Sequence, residues 1–293
     1  MSEAGISVLI VSYECRQVLG ECLRSLEAQQ PVVAEVIVVD NASRDGTVQA
    51  LRTWPGTLPL QVVDNDHNRG FAAAANQALR MARGGSLLLL NPDTRLLPGA
   101  VERLAATLRE RPRAAAVGAL LLDAQGGEQR GARRGEPAPG AVLRHLLGRL
   151  GAGAADDGYD LSCRPLPAAD TAVDAVSGAC MMIRRAALEQ VGLLDEGYRM
   201  HCEDLDWCRR SRDAGWQLRF EPRARAVHIG GVSSGRRPLW VEWHKARGMA
   251  RYFRKHLLTP RSLVLLPVLA VVAAAFFVVR LGGGLRAARG TSA

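Results

Sequence analysis

The six cysteines of this chain, Cys15, Cys22, Cys163, Cys180, Cys202 and Cys208, form no C-x-x-C pair. No signal peptide opens the chain, so the thiols are expected to be reduced and cytosolic. His201 with Cys202 and Cys208 hints at zinc, but a fourth ligand at matching spacing is missing. No G-x-G-x-x-G follows the first apolar run, which disfavours a Rossmann-type dinucleotide fold. No G-x-x-x-x-G-K-[ST] occurs, which excludes a P-loop. No internal repeat is evident. Aromatic residues are scarce, 5% of the chain, and no aromatic-interleaved basic face runs through its αβ part. Nucleic acid is therefore not an expected partner.

What remains is ordinary in bulk and unusual in distribution. At 293 residues with 48% hydrophobic content, the chain can bury a sizeable core in one or two domains. The net charge of +9 points to an anionic partner surface. Because the basic residues gather around an apolar tail, an anionic membrane fits best.

The N-terminal third alternates strands with helices. Ile6 to Ser12 reads as a buried strand, and Val18 to Ala28 carries Leu19, Cys22, Leu23 and Leu26 at helical spacing. Val36 to Val39, Leu60 to Val63 and Ser86 to Leu90 read as further strands. Thr47 to Trp54, Phe71 to Arg83 and Val101 to Arg109 read as helices, the second stopped by Gly84-Gly85. This order predicts an α/β fold with a mostly parallel sheet covered by helices on both faces. Ligands on such sheets bind at the carboxyl ends of the strands, where Ser12, Asp40, Asn41, Asn91 and Asp93 fall.

Several residues admit two readings. Asp40 can accept hydrogen bonds from a base or ribose hydroxyl, or cap the next turn. Arg69-Gly70 at a loop-to-helix junction suits a diphosphate or a base edge, or is a solvated arginine beside a turn glycine. Glu203-Asp204-Leu205-Asp206 puts three carboxylates within four residues at a predicted helix start. The cluster either caps that helix or holds a general base where the helix dipole favours the ionised form.

Together VSYE, VVDNASRDGT, NRGFAAAANQAL, LLNPDTRL and the GACMMIRRAALEQVGLLDEGY to CEDLDWCRR region resemble family 2 glycosyltransferases, most nearly the bacterial rhamnosyltransferase-like branch. Each motif is weak alone; their order over residues 5–256 carries the resemblance. It implies a GT-A fold and transfer of a sugar from a nucleotide diphosphate with inversion, first L-rhamnose from dTDP-L-rhamnose, otherwise a hexose or N-acetylhexosamine from a UDP-sugar. The implied acceptor is a lipid-linked or cell-envelope saccharide. A non-catalytic nucleotide-sugar-binding scaffold is the alternative of another class, against which intact Asp93 and Asp204 argue.

By position in the family pattern, Ser12 and Asp40 are expected to line the nucleoside pocket, Arg69 with Gly70 to reach the base or diphosphate, and Asn91 to adjoin it. Asn91-Pro92-Asp93 takes the place of the family's D-x-D motif, with asparagine for the first carboxylate. Asp93 then becomes the main carboxylate ligand of Mg²⁺ or Mn²⁺, with His228 completing the site. Asp204 is the expected base, Glu203 its fallback, and Asp206 a helix support. Ser177-Gly178-Ala179 is expected to wall the sugar. Glu14 departs from the asparagine usual in relatives.

The expected organisation is a nucleotide-sugar-binding half (1–123), a Gly-, Pro- and Arg-rich, partly amphipathic insertion (124–172), an acceptor and catalytic half (173–235), a basic aromatic interfacial segment (236–262) and a C-terminal transmembrane helix (263–280). Within the insertion, Val142, Leu143, Leu146, Leu147 and Leu150 share one helical face, suited to a membrane, an acceptor groove or an ordinary surface helix. Leu263 to Val279 holds seventeen uncharged residues, near the lower limit for a transmembrane helix. Arg236 to Arg261 contains eight Lys or Arg, against three in Arg280 to Ala293. That bias predicts an inner-membrane protein with its catalytic domain on the cytoplasmic side. Trp240, Trp243, Tyr252 and Phe253 are expected to seat the preceding helix at the interface.

Overall fold

A computed structural model describes residues 5–29, 32–137, 158–230 and 238–257. The apolar face at 142–150 and the run 263–279 lie outside them. Among the described residues, no helix is long and apolar enough to cross a membrane.

The first half is built from β1 (Ile6–Ser12), α1 (Arg16–Glu27), β2 (Val33–Asp40), α2 (Thr47–Arg52), β3 (Leu60–Asp64), α3 (Phe71–Met81) and β4 (Ser86–Leu90). β1 is buried along its whole length, which explains its continuous apolar run rather than an alternating one. Its side chains still alternate: Leu9 and Val11 pack on one side of the sheet, Val8 and Ile10 on the other. α1 turns Leu19, Cys22, Leu23 and Leu26 inward, as its spacing predicts.

The second half contains β5 (Thr94–Leu96), α4 (Ala100–Glu110), β6 (Ala114–Leu122), β7 (Arg133–Arg134), β8 (Thr171–Val173), β9 (Ala175–Val176) and β10 (Cys180–Arg184). It continues through α5 (Arg185–Val191), α6 (Glu203–Asp213), β11 (Gln217–His228) and α7 (Pro238–His256). The main sheet runs β3-β2-β1-β4-β10-β6-β11-β5, with β8 also on β11. The expectation of a mostly parallel sheet holds for β3-β2-β1-β4 and for the β6–β11 pair, but not across the whole sheet. β10 is antiparallel to both β4 and β6, and β11 is antiparallel to β5 and β8. The sheet is mixed because the later strands do not all enter through crossover helices.

β11 carries the irregularity that matters most. Glu221 faces Ala119 of β6, yet the next paired residue, Arg225, faces Leu120. Pro222, Arg223 and Ala224 are therefore extra, and proline belongs at such a bulge because it cannot serve a regular ladder. Buried Glu221 holds the bulge: it accepts from Arg223 Nε at 2.8 Å and from Thr107 Oγ1 of α4 at 3.0 Å. Beyond the bulge, β11 pairs with β5 so that His228 faces Thr94.

Candidate active site

A cavity of about 920 Å³ opens where β1, β2 and β4 end, and both halves of the chain line it. Asn91, Pro92, Asp93 and His228 form one part of the wall. The β11–β5 register places His228 Nε2 3.2 Å from Asp93 Oδ1 and 3.3 Å from Asn91 Nδ2. The backbone repeats the contact, Ile229 N–H donating to Asp93 O at 3.1 Å. On the far side of the ring, His228 Nδ1 lies 2.7 Å from Gln129 Oε1. A carbonyl oxygen only accepts, so Nδ1 carries a proton. In the neutral ring the Nε2 lone pair then faces the Asp93 carboxylate, an arrangement that a shared cation relieves. No group of three His, Cys, Asp or Glu side chains that could hold a metal occurs among the described residues. Mg²⁺ and Mn²⁺ commonly complete such a two-donor shell with substrate phosphates and water, so the residues fit an ion held jointly with a diphosphate. Gln129 orients the histidine from behind, as groups outside a metal's direct ligands commonly do.

Glu203 and Asp204 line the same cavity from the first turn of α6. His201 and Cys202, just before them, both have positive φ, 62° and 70°. A tight left-handed turn thus aims the acidic helix start into the cleft. Asp204 Oδ2 accepts from Arg134 Nη2 at 2.6 Å and from Gly178 N–H at 3.1 Å, while Oδ1 accepts from Leu205 N–H at 2.8 Å. Part of the capping reading is therefore right, but half of the carboxylate serves a tertiary contact. Burial pushes the Asp204 carboxyl up; the Arg134 charge and these hydrogen bonds outweigh it and hold it below the usual range. Glu203 has no such partner. Burial, then the neighbouring Asp204 charge, pushes its carboxyl up to about 8, and its Oε2 is buried without a hydrogen bond. Two adjacent carboxyls thus rest in opposite protonation states near neutral pH, a pattern that separates acid and base roles.

Arg134 is the residue that sequence reasoning missed. It sits on β7, inside the stretch read as an insertion, and pairing with β9 sets it opposite Ala175. From there it donates to both Val176 O and Asp204. Its only sequence signal was a pair of arginines among glycines. The side chains of Asp93, His228, Arg134 and Asp204 keep 11 to 15% exposure, enough to reach the cleft but not to be freely hydrated.

The remaining expectations divide. Gly70, Asn91 and Ser177-Gly178-Ala179 line the cleft as expected. Gly70 is needed there: at φ 86°, an added Cβ would sit 2.9 Å from the Arg199 carbonyl oxygen. Ser12 and Asp40 do not line it. Both are fully buried, Ser12 Oγ donating to Asp40 Oδ1 at 2.7 Å. Asp40 also accepts from Ser43 N–H and Ser43 Oγ, each at 2.7 Å. Asp40 therefore caps the turn after β2 and shapes the wall from behind, while Asn41 and Ala42 face the cavity. Arg69 turns away too, pairing with Asp66 at 3.5 Å and lining a shallow neighbouring cavity of about 350 Å³. Glu14 lines the cleft and accepts from Arg44 N–H at 2.8 Å. Asp206 supports the helix as expected: it is fully buried and accepts from Arg210 Nε and His256 Nε2, each at 2.8 Å. Cys202 and Cys208 are buried free thiols, pushed up by burial, as suits core residues.

Residues 7–192 match the family described as Glycosyl transferase family 2. The chain belongs to that family. Asp93 and Gly178 of this family 2 glycosyltransferase fall within the match; Asp204 and His228 follow it, and their placement rests on the geometry above. The enzyme is rhamnosyltransferase-like. It is 29% identical over 247 residues to the N-acetylglucosaminyl-diphospho-decaprenol L-rhamnosyltransferase of Mycobacterium tuberculosis, covering 80% of this chain and 78% of that protein. It is 27% identical to the low-salt glycan biosynthesis hexosyltransferase Agl10 of Haloferax volcanii, over 71% of this chain and 61% of that one. Among solved structures, the Pyrobaculum calidifontis mannosyltransferase PcManGT with GDP-Man and Mn²⁺ superposes with a TM-score of 0.60 at 20% identity, over 98% of this chain and 76% of that one. GalNAc-T7 with UDP, GalNAc and Mn²⁺ gives 0.61 at 18% identity, over 86% of this chain and 48% of that one. These likenesses establish the GT-A-like α/β fold.

Proposed function

We propose that this glycosyltransferase moves L-rhamnose from dTDP-L-rhamnose, with inversion, onto a lipid-linked or cell-envelope saccharide at the cytoplasmic face of the inner membrane. The carrying observation is one cleft that holds both the Asp93–His228 pair and the Glu203–Asp204 pair. In this reading the donor diphosphate lies against Asp93 and His228. Asp93 and His228 would hold a divalent cation, Mg²⁺ or Mn²⁺, which would supply charge neutralisation to the leaving diphosphate. The acceptor hydroxyl lies against Asp204. It loses its proton to the carboxylate as its oxygen attacks the anomeric carbon, and the bond from that carbon to the diphosphate oxygen breaks. Arg134 keeps Asp204 ionised and oriented for that role. A single displacement needs one base and no carboxylate nucleophile. Glu203, protonated near neutral pH, is the fallback base only where the pH is high enough to ionise it.

The choice of rhamnose follows the mycobacterial relative, whose name also gives a lipid-linked acceptor; the dTDP carrier follows the family resemblance. A UDP-hexose or UDP-N-acetylhexosamine is the second reading, favoured by solved relatives bound to UDP and UDP-GlcNAc. A thermal-shift screen of nucleotide sugars with and without Mn²⁺ separates them, because a ligand that binds only the folded state raises its apparent stability. The expected result is a Mn²⁺-dependent rise with dTDP-L-rhamnose, followed by sugar transfer to a polyprenyl-diphosphate saccharide. A larger rise with a UDP-sugar transfers the assignment to the second reading.

A further inference from the structure

Helix α7 has one face in the core and another that belongs to nothing yet described. Val241, Gly248, Met249, Tyr252 and Phe253 are buried. The expectation that Tyr252 and Phe253 seat the helix at a membrane interface is thus corrected: they are 0% and 3% exposed and anchor the helix to the protein. The opposite face reads Trp240, Trp243, Arg247, Ala250 and Arg254, all exposed. Their spacing of three, four, three and four residues keeps them on one line along the helix. Trp240 is 37% and Trp243 53% exposed, the only tryptophans among the large exposed apolar residues. Trp240 also lines the cleft, and its ring lies 4.0 Å from that of His244. Trp240 therefore stands at the mouth of the site, with Trp243 and the arginines following it along the helix.

We infer that this stripe is a membrane-facing surface that sets the mouth of the cleft against an anionic bilayer. Indole rings favour the headgroup region, where an apolar body and a polar N–H are both satisfied. Arg247 and Arg254 lie where lipid phosphates would meet them, and no acidic residue occupies the stripe. The net charge of +9 has the complementary sign. Continuity of the chain agrees: α7 ends at His256, and the apolar run Leu263 to Val279 follows within a few residues. The inference deepens the lipid-linked-acceptor reading and rests on it for its purpose: the acceptor saccharide then enters from the bilayer past Trp240, and its lipid never leaves the membrane.

The test uses the full chain with vesicles of equal phosphatidylcholine and phosphatidylglycerol, the acyl chains brominated near the glycerol end. Bromine quenches tryptophan only at close range. The expected result is that vesicles quench part of the intrinsic fluorescence, that Trp243→Phe removes about half of the quenched part, and that adding Trp240→Phe removes nearly all of it. Trp54, Trp207 and Trp216 supply the unquenched background. Arg247→Glu with Arg254→Glu should reduce the quenching at least twofold, an effect that salt mimics. All four positions are exposed, and an unchanged circular dichroism spectrum and ligand-free melting temperature confirm folding. Quenching that persists in the double tryptophan variant overturns the inference. So does Trp243 fluorescence that stays open to aqueous iodide while the chain is bound to vesicles, since the stripe then faces water or another protein. The quenching does not depend on turnover, so loss of sugar transfer with quenching intact sinks the functional reading alone.

Discussion

The donor-side wall and the acidic wall of the cleft treat polar groups in opposite ways. Behind the first, every polar residue is answered. Ser12 and Ser43 saturate Asp40, and Asn41 accepts from Asn65, which in turn exchanges hydrogen bonds with Gln77 at 2.8 and 3.0 Å. Such a closed network fixes a shape and leaves nothing to react. Along the second wall, satisfaction is incomplete. Glu203 Oε2 and Arg134 Nε are buried without hydrogen bonds, and Glu203 and Asp204 sit side by side with opposed shifts. The first wall is suited to hold a ligand of fixed form. The second keeps charge in a state that a ligand or a proton can change. On the proposed function, the contrast divides binding from chemistry within one cavity.

The sharpest way to break that contrast is Asp204→Asn. Turnover should fall by about 10²-fold or more, the usual scale for losing a general base, while donor affinity changes little. Single-turnover transfer with separate donor titration measures both; near-normal turnover would move the base to Glu203 or outside the cluster. On the other wall, Asp93→Ala should weaken Mn²⁺-dependent nucleotide diphosphate binding about 10-fold or more, and His228→Ala less, because each removes one of two protein donors. Calorimetric titration with and without Mn²⁺ reads this directly, and metal-independent binding in the unmodified enzyme would falsify the metal assignment.

A smaller effect tests the positioning role of Arg134. In Arg134→Gln burial acts on Asp204 without its opposing charge, so its pKa should rise. The acid limb of the rate profile should then move to higher pH, with turnover down roughly 10-fold at neutral pH. A purely structural role for Arg134 would lower the rate at every pH without moving the limb. The sign for stability follows. Asp204 is depressed in the fold, so its contribution exists above the unfolded value near 3.9 and is lost as pH falls through the folded one; the variant should lack that contribution.

The mildest change is Glu203→Gln. This carboxyl is raised to about 8. Between its unfolded value near 4.3 and the folded one, the unfolded chain ionises while the native one stays protonated, which favours unfolding as pH rises. Glutamine removes that penalty. The variant should melt a few degrees higher above neutral pH, and the advantage should vanish below about pH 4. Loss of the advantage at high pH would mean that Glu203 is ionised and paired in the resting enzyme.

Much of the fold was legible because buried parallel strands are continuous apolar runs and the helices between them keep a 3.6-residue period. β1, β2, β3, β4, α1 and α3 could be read that way. β5, β7, β8 and β9 have only two or three residues each, too few to show any period. β5 and β8, with the longer β10, supply the antiparallel pairs that make the main sheet mixed, while β7 and β9 form a separate two-stranded sheet. In the site, Asp93, Asp204, Glu203, His228, Gly70 and Asn91 all line the cleft, each at the end of a readable element. Ser12, Asp40 and Arg69 lie at such ends but turn away from the cleft, since sequence gives position along a strand and not where a side chain turns. Arg134 could not be read at all: its partner lies 70 residues away, and only the β7–β9 pairing joins them.

The bulge at Pro222, Arg223 and Ala224 has one more meaning. Strand length is rarely negotiable in the middle of a sheet, because a one-residue slip turns every side chain to the other face. Here most of the slack lies between two segments of β11 that are both locked to β6, the second of them also to β5. The scaffold and the histidine that meets Asp93 are thus joined by an adjustable spacer. Shortening it by one residue should leave the sheet before Glu221 in register and rotate His228 away from Asp93, separating the folding of this enzyme from the proposed diphosphate site.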